Sequence, residues 1–193
     1  MADNETLESM RASAWDEAFH CYGAAFILEQ RSSWFEKAFF FHDLLSFGFP
    51  VLVGLIALSF QINEKAFGIL TAVGFGVGIA TMLFSITSLV GRWHDKHQQY
   101  QRQIVTNQLL FDDFRRFGRN PPKNEYRKQF EIIDIRRQES EKGAVAFTEE
   151  EKRFGYRFAA RQMERECKGC NIKPMDMKST ACSVCGNFKK KFK

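Results

Sequence analysis

Two long uncharged, apolar runs interrupt an otherwise polar chain. Leu44 to Ile62 reads LLSFGFPVLVGLIALSFQI, nineteen residues, and Ala66 to Val90 reads AFGILTAVGFGVGIATMLFSITSLV, twenty-five residues. A helix needs roughly 20 apolar residues to cross a hydrocarbon core of about 30 Å, so the runs predict membrane spans over 44–62 and 66–90. Only Asn63-Glu64-Lys65 separates them, the length of a tight turn between antiparallel helices. Pro50 predicts either a kink in the first span or a site where neighbouring groups satisfy the freed backbone.

The second run carries two periodic rows. Thr71, Gly74, Gly78, Thr81, Ser85 and Ser88 recur at steps of three and four, one stripe of a helix. Gly68, Ala72, Gly76 and Ala80 place a small residue at every fourth position. Such rows either pack helices closely or, for the hydroxyl stripe, line a water-filled path. Two helices cannot enclose a channel, so a pore requires several chains.

Outside the runs the pattern is amphipathic and helical. Leu7 to Phe41 has no proline and carries Trp15, Phe19, Tyr22, Phe26 and Trp34-Phe35. Trp93 to Phe117 shows Tyr100, Ile104, Phe111 and Phe114 at coiled-coil spacing, widened by Val105 and Leu110. Gly118 and Pro121-Pro122 end that helix. A further segment covers Glu125 to Arg137. Thr148 with Glu151 forms a capping box that starts a helix reaching about Glu166. These helices suit either a bundle within one chain or a multimeric stalk.

Charge sharpens the division. Residues 1–90 hold four of the 28 basic and nine of the 23 acidic side chains, so the remaining 103 residues carry the positive excess. Positive charge near the spans (Arg31, Lys37, Arg92, Lys96, Arg102) outweighs the lone Lys65 at the hairpin tip. By the positive-inside rule both termini are cytoplasmic. Trp34 and Trp93 mark the interface. Lys189, Lys190, Lys191 and Lys193 form a basic tail suited to nucleic acid or anionic lipid, or simply to solvent.

Four of the five cysteines give CxxC-x11-CxxC: Cys167, Cys170, Cys182 and Cys185. Two pairs at this spacing can complete a tetrahedral, structural Zn2+ shell with no open position. Gly169 and Gly186 are expected to relieve the backbone in the tight knuckles. Cys21 stands apart, as a buried small residue. There is no phosphate-binding glycine loop and no nucleophile–base pair, so the chain is not expected to be an enzyme.

A leading helix, a two-span hairpin, a helical continuation and this cysteine spacing resemble the mobilome CxxCx(11)CxxC proteins, within the wider SLATT group. The resemblance implies a membrane effector of bacterial conflict and phage-defence systems. Such effectors form pores or disturb the membrane once a partner senses infection, often through a nucleotide signal. The expected architecture is an all-α membrane protein of the bacterial inner membrane. It comprises a cytosolic or interfacial helix (1–43), the hairpin (44–90), a cytosolic helical region (91–147), and a capped helix with a four-cysteine zinc ribbon and basic tail (148–193). Expected partners are the bilayer, further copies of the chain and a protein or nucleotide-signalling partner encoded nearby. The alternative is a membrane-tethered zinc-ribbon module that recruits a protein or nucleic acid.

Overall fold

The computed structural model describes residues 2–59, 64–122 and 125–189. Every regular element among them is a helix: α1 (Ala2–Asp43), a π-helical turn (Leu44–Gly48), α2 (Phe49–Ser59), α3 (Glu64–Val90), α4 (Trp93–Arg119), α5 (Tyr126–Lys142) and α6 (Glu149–Gln162). These elements belong to two compact units, residues 1–31 with 99–193, and residues 32–98.

In the first unit α1 is the central strut. Ala14, Ala18 and Cys21 bury one face against Leu110, Phe114 and Phe117 of α4 and Ile133 of α5. Phe19 packs with Ala159 and Ala160 of α6. Small residues let the backbones meet: a Cβ on Gly23 would stand 3.0 Å from the Gly155 carbonyl oxygen, and one on Gly155 would stand 2.6 Å from Ile27 Cδ1. Burial, with Glu17 nearby, pushes the Cys21 thiol up to about 12, so this sulfur stays protonated and inert. The amphipathic helices thus form a bundle within one chain. Ile104, Leu110, Phe114 and Phe117 face its core, while Val105 is exposed and outside the stripe drawn for it.

Two helix ends differ from the sequence reading. α5 runs five residues past Arg137, because Arg137 bonds Asp134 and Glu141 and Gln138 bonds Asp134, holding a polar last turn together. α6 stops at Gln162, short of Glu166. Arg165 N–H donates to the Ala160 carbonyl, Glu164 N–H to that of Arg161, and Glu164 takes the left-handed conformation (φ 55°). This is a Schellman stop without its usual glycine, so nothing in the composition announces it.

The helical run Thr6–Ile56, which enters the second unit after Arg31, and Phe67–Val90 each contain a stretch long and apolar enough to cross a membrane, and none of either stretch is buried within the chain. Pro50 lies just after the π-helical turn, where a widened turn accommodates its missing N–H and its ring. Of the turn expected at Asn63-Glu64-Lys65, Glu64 and Lys65 begin α3, and residues 60–63 lie outside the described residues. α3 ends in a turn at Gly91 and Arg92 (φ 52°). There aromatic rings gather: Trp93 meets Trp34 edge-on at 5.1 Å between centroids and Phe84 at 5.3 Å, and Phe39 stacks on His94 at 4.3 Å.

Candidate metal centre

Two short loops after α6 carry the clustered cysteines, and both use the same pair of backbone bonds. In the first, Gly169 N–H donates to Cys167 Sγ (3.3 Å) and Asn171 N–H to the Cys167 carbonyl (2.8 Å). In the second, Val184 N–H donates to Cys182 Sγ (3.4 Å) and Gly186 N–H to the Cys182 carbonyl (3.0 Å). The left-handed residues are Asn171 and Asn187, each at φ 53°, and neither glycine has a positive φ. The glycines supply room instead. A Cβ on Gly169 would stand 2.6 Å from Val184 Cγ2, and one on Gly186 would run into the Thr180 carbonyl.

The folded loops bring the four sulfurs within 4.8 Å of one another. Cys167 and Cys182 are 3.9 Å apart and Cys170 and Cys185 are 3.8 Å apart. A tetrahedral ion with metal–sulfur bonds of about 2.3 Å needs sulfur–sulfur edges of about 3.8 Å. The donor set therefore fits one ion, with Cys167 and Cys185 buried and Cys170 and Cys182 partly open. Backbone N–H groups of Cys185 and Val184 hold the Cys182 thiol down to about 6, whereas burial and the neighbouring sulfurs push Cys185 up to about 12. Cysteine binds a metal as thiolate, so loading the site releases protons.

Helix α6 fixes this centre in place. Phe154, Arg157 and Ala160 follow at steps of three, so a cation sits in an apolar face. Arg157 is buried. Its Nε donates to the Asp176 carbonyl (2.8 Å), Nη2 to Asp176 Oδ1 (3.2 Å), and Nη1 to the Cys185 carbonyl (3.2 Å) with Cys185 Sγ at 3.8 Å. The guanidinium therefore organises both the connecting loop and a ligand sulfur, a role the sequence reading missed. Its signal was a charged residue inside an apolar row. Tyr156 accepts from Lys168 N–H (3.0 Å), and Phe188 packs edge-on against Phe154. Asp16 of α1 takes Arg165 (2.9 Å) and Lys168 (3.0 Å). Burial alone would raise that carboxyl, but the two cations hold it below its usual range.

The residues of the α3 hydroxyl stripe have different local partners within the chain. Thr71, Thr81 and Ser85 donate to carbonyls of their own helix, those of Phe67, Gly78 and Thr81. Ser85 Oγ also lies 3.0 Å from His42 Nε2, Ser88 is buried, and Gly74 faces the Phe49 ring. Gly78 lies open, as do Gly68 and Gly76 of the second row. In the tail, Lys189 lies 3.7 Å from Glu150, and Lys190, Lys191 and Lys193 fall outside the described residues.

Comparison with curated proteins and with solved structures gives no match. The model of one family, described as Mobilome CxxCx(11)CxxC protein, matches residues 11–188 and so takes in the amphipathic helices, both apolar spans and all four clustered cysteines. On that match, the chain is a member of the mobilome CxxCx(11)CxxC family.

Proposed function

We propose that the chain is an oligomerising membrane effector of a bacterial anti-phage or conflict system, with a structural Zn2+ bound by Cys167, Cys170, Cys182 and Cys185. The observation that carries the membrane reading is where the apolar surface points. Phe47, Phe75, Leu89 and Val90 are 73–79% exposed, and neighbouring side chains of both spans turn outward with them. Water does not tolerate an uncovered surface of this kind; lipid does. The Trp34–Trp93 pair suits the headgroup layer, and the excess of basic residues at that end supports an inner-membrane hairpin with both termini in the cytoplasm. Gly68 and Gly76 lie open for close approach of another copy. The expected trigger is a protein or nucleotide signal from a neighbouring gene.

Membrane potential in cells expressing the chain, with and without its gene neighbours, tests this reading through a voltage-sensitive dye. Depolarisation that needs 44–90, is lost in Gly76→Leu and is restrained by a neighbour supports the effector. An intact potential in every combination, with the protein inserted, favours the second reading, a tethered zinc-ribbon binding module. The feature supporting that alternative is the exposure of Ile172 and Met175 on the ribbon, 66% and 79%.

A further inference from the structure

Among the described residues, the positive charge of the ribbon is paired. All four described lysines of the ribbon face carboxylates: Lys168 on Asp16, Lys173 on Glu164, Lys178 on Asp176 and Lys189 on Glu150. The corner where α4 gives way to α5 is different. Arg116, Arg119 and Lys128 are exposed there and have no ion-pair partner among the described residues. Arg115 lies over the Phe111 ring and Arg127 over Tyr126, so their guanidinium groups are held by aromatic faces. The rings of Phe117 and Phe130 are 5.4 Å apart, which brings the end of α4 beside the start of α5, so these cationic residues stand on neighbouring turns of the two helices.

Helix electrostatics accounts for only half of this cluster. Arg116 and Arg119 suit the negative end of α4. Arg127 and Lys128 stand in the first turn of α5, where the dipole favours acids and where no acid is present. Glu125, just before that turn, makes no side-chain cap, and Asp112 is the nearest exposed acid on α4.

We propose that this corner docks the phosphate backbone of double-stranded nucleic acid. Arginine forks match phosphate oxygens in pairs, and several cations spread over two helices match a repeating anion better than a single phosphate. Among the described residues, no large hydrophobic side chain between Arg115 and Lys128 is exposed. The corner therefore offers nothing to insert into acyl chains and no apolar anchor for a protein interface. This inference is independent of pore formation.

The test uses the full chain in detergent micelles with zinc bound, and fluorescence anisotropy of short DNA and RNA duplexes from about 50 to 200 mM salt. Arg116→Ala/Arg119→Ala/Lys128→Ala is compared with Lys168→Ala/Lys173→Ala/Lys178→Ala, which removes the same charge from the ribbon; zinc content and circular dichroism establish that both variants fold. The expected result is binding by the parent chain, weakened at least tenfold by the corner variant, with the slope of log affinity against log salt smaller by about 3. The ribbon variant should keep most of the slope. Equal loss in both variants would mean that only net charge matters and would overturn the proposal. So would absence of binding, or binding to anionic phosphatidylglycerol vesicles that depends on the corner while the duplexes are ignored.

Discussion

Arg31 grips both oxygens of one carboxylate: Nε to Glu151 Oε1 and Nη2 to Glu151 Oε2, each at 2.7 Å. The same Glu151 accepts from Thr148 N–H at 2.7 Å to close the capping box of α6. A single acid therefore starts one helix and fastens it to another 120 residues away in sequence. Phe147 stacks against the guanidinium and Ala146 supplies a further acceptor, so the pair is enclosed on several sides.

Removing the charge with Glu151→Gln should destabilise the first unit by about 3 kcal/mol, since Arg31 is left half-buried without its anion. Glu151→Ala should cost about 1 kcal/mol more, because glutamine can still cap and alanine cannot. Denaturant melts of the two variants provide the check.

The pair also sets an acid limit. Burial would raise the Glu151 carboxyl, but Arg31 and Thr148 hold it below the usual carboxylate range. Its contribution is present above the unfolded value of about 4.3 and is lost as pH falls through the lower folded value. Melts of the parent chain from pH 6 down to about pH 3 should lose stability faster than those of Glu151→Gln.

Metal analysis of reduced protein should find one zinc per chain. Chelation, or Cys185→Ser, should unfold the ribbon. Thiol titration of the chelated native protein should find four reactive cysteines, with Cys21 protected by its burial until the chain is denatured.

Arg157→Met keeps the length of the side chain but deletes the donors to Cys185 and Asp176. Zinc transfer to a chromogenic chelator should accelerate roughly 10- to 100-fold, the usual scale for groups that orient metal ligands. An unchanged rate would mean that the cysteine loops hold their shape without this cation.

Gly155→Ala adds a methyl group where Ile27 Cδ1 stands 2.6 Å and the Gly23 oxygen 2.8 Å away. A loss of about 1–3 kcal/mol is expected in thermal melts, against near-neutrality for Gly143→Ala, whose added methyl meets nothing.

What could be foreseen from residue order was what short-range spacing controls. The cysteine pairs, the Thr148–Glu151 cap and the two apolar runs each lie within a few turns of chain, and all were legible. The Glu164 stop was not, because a glutamate in the left-handed region looks like any other surface residue. Arg157 and Arg31 escaped for another reason: their partners lie 19 to 28 residues away for one and 120 away for the other. The Gly169 and Gly186 readings chose the right residues but the wrong reason, since space and not backbone conformation requires them.

The discontinuous first unit imposes an order on biosynthesis. Ala14, Ala18 and Phe19 leave the ribosome early, but Phe114 and Ala159, which cover them, are made only after both apolar spans. At roughly 5–20 residues per second, α1 waits on the order of ten seconds for α6. During that interval both apolar spans are complete while the core of the first unit is still open. A ribosome that stalls before Thr148 would release a chain with spans and no α6, its Phe19 face uncovered and ready for chaperone or protease. Translation of residues 148–193 thus decides whether the Phe19 face of α1 is covered.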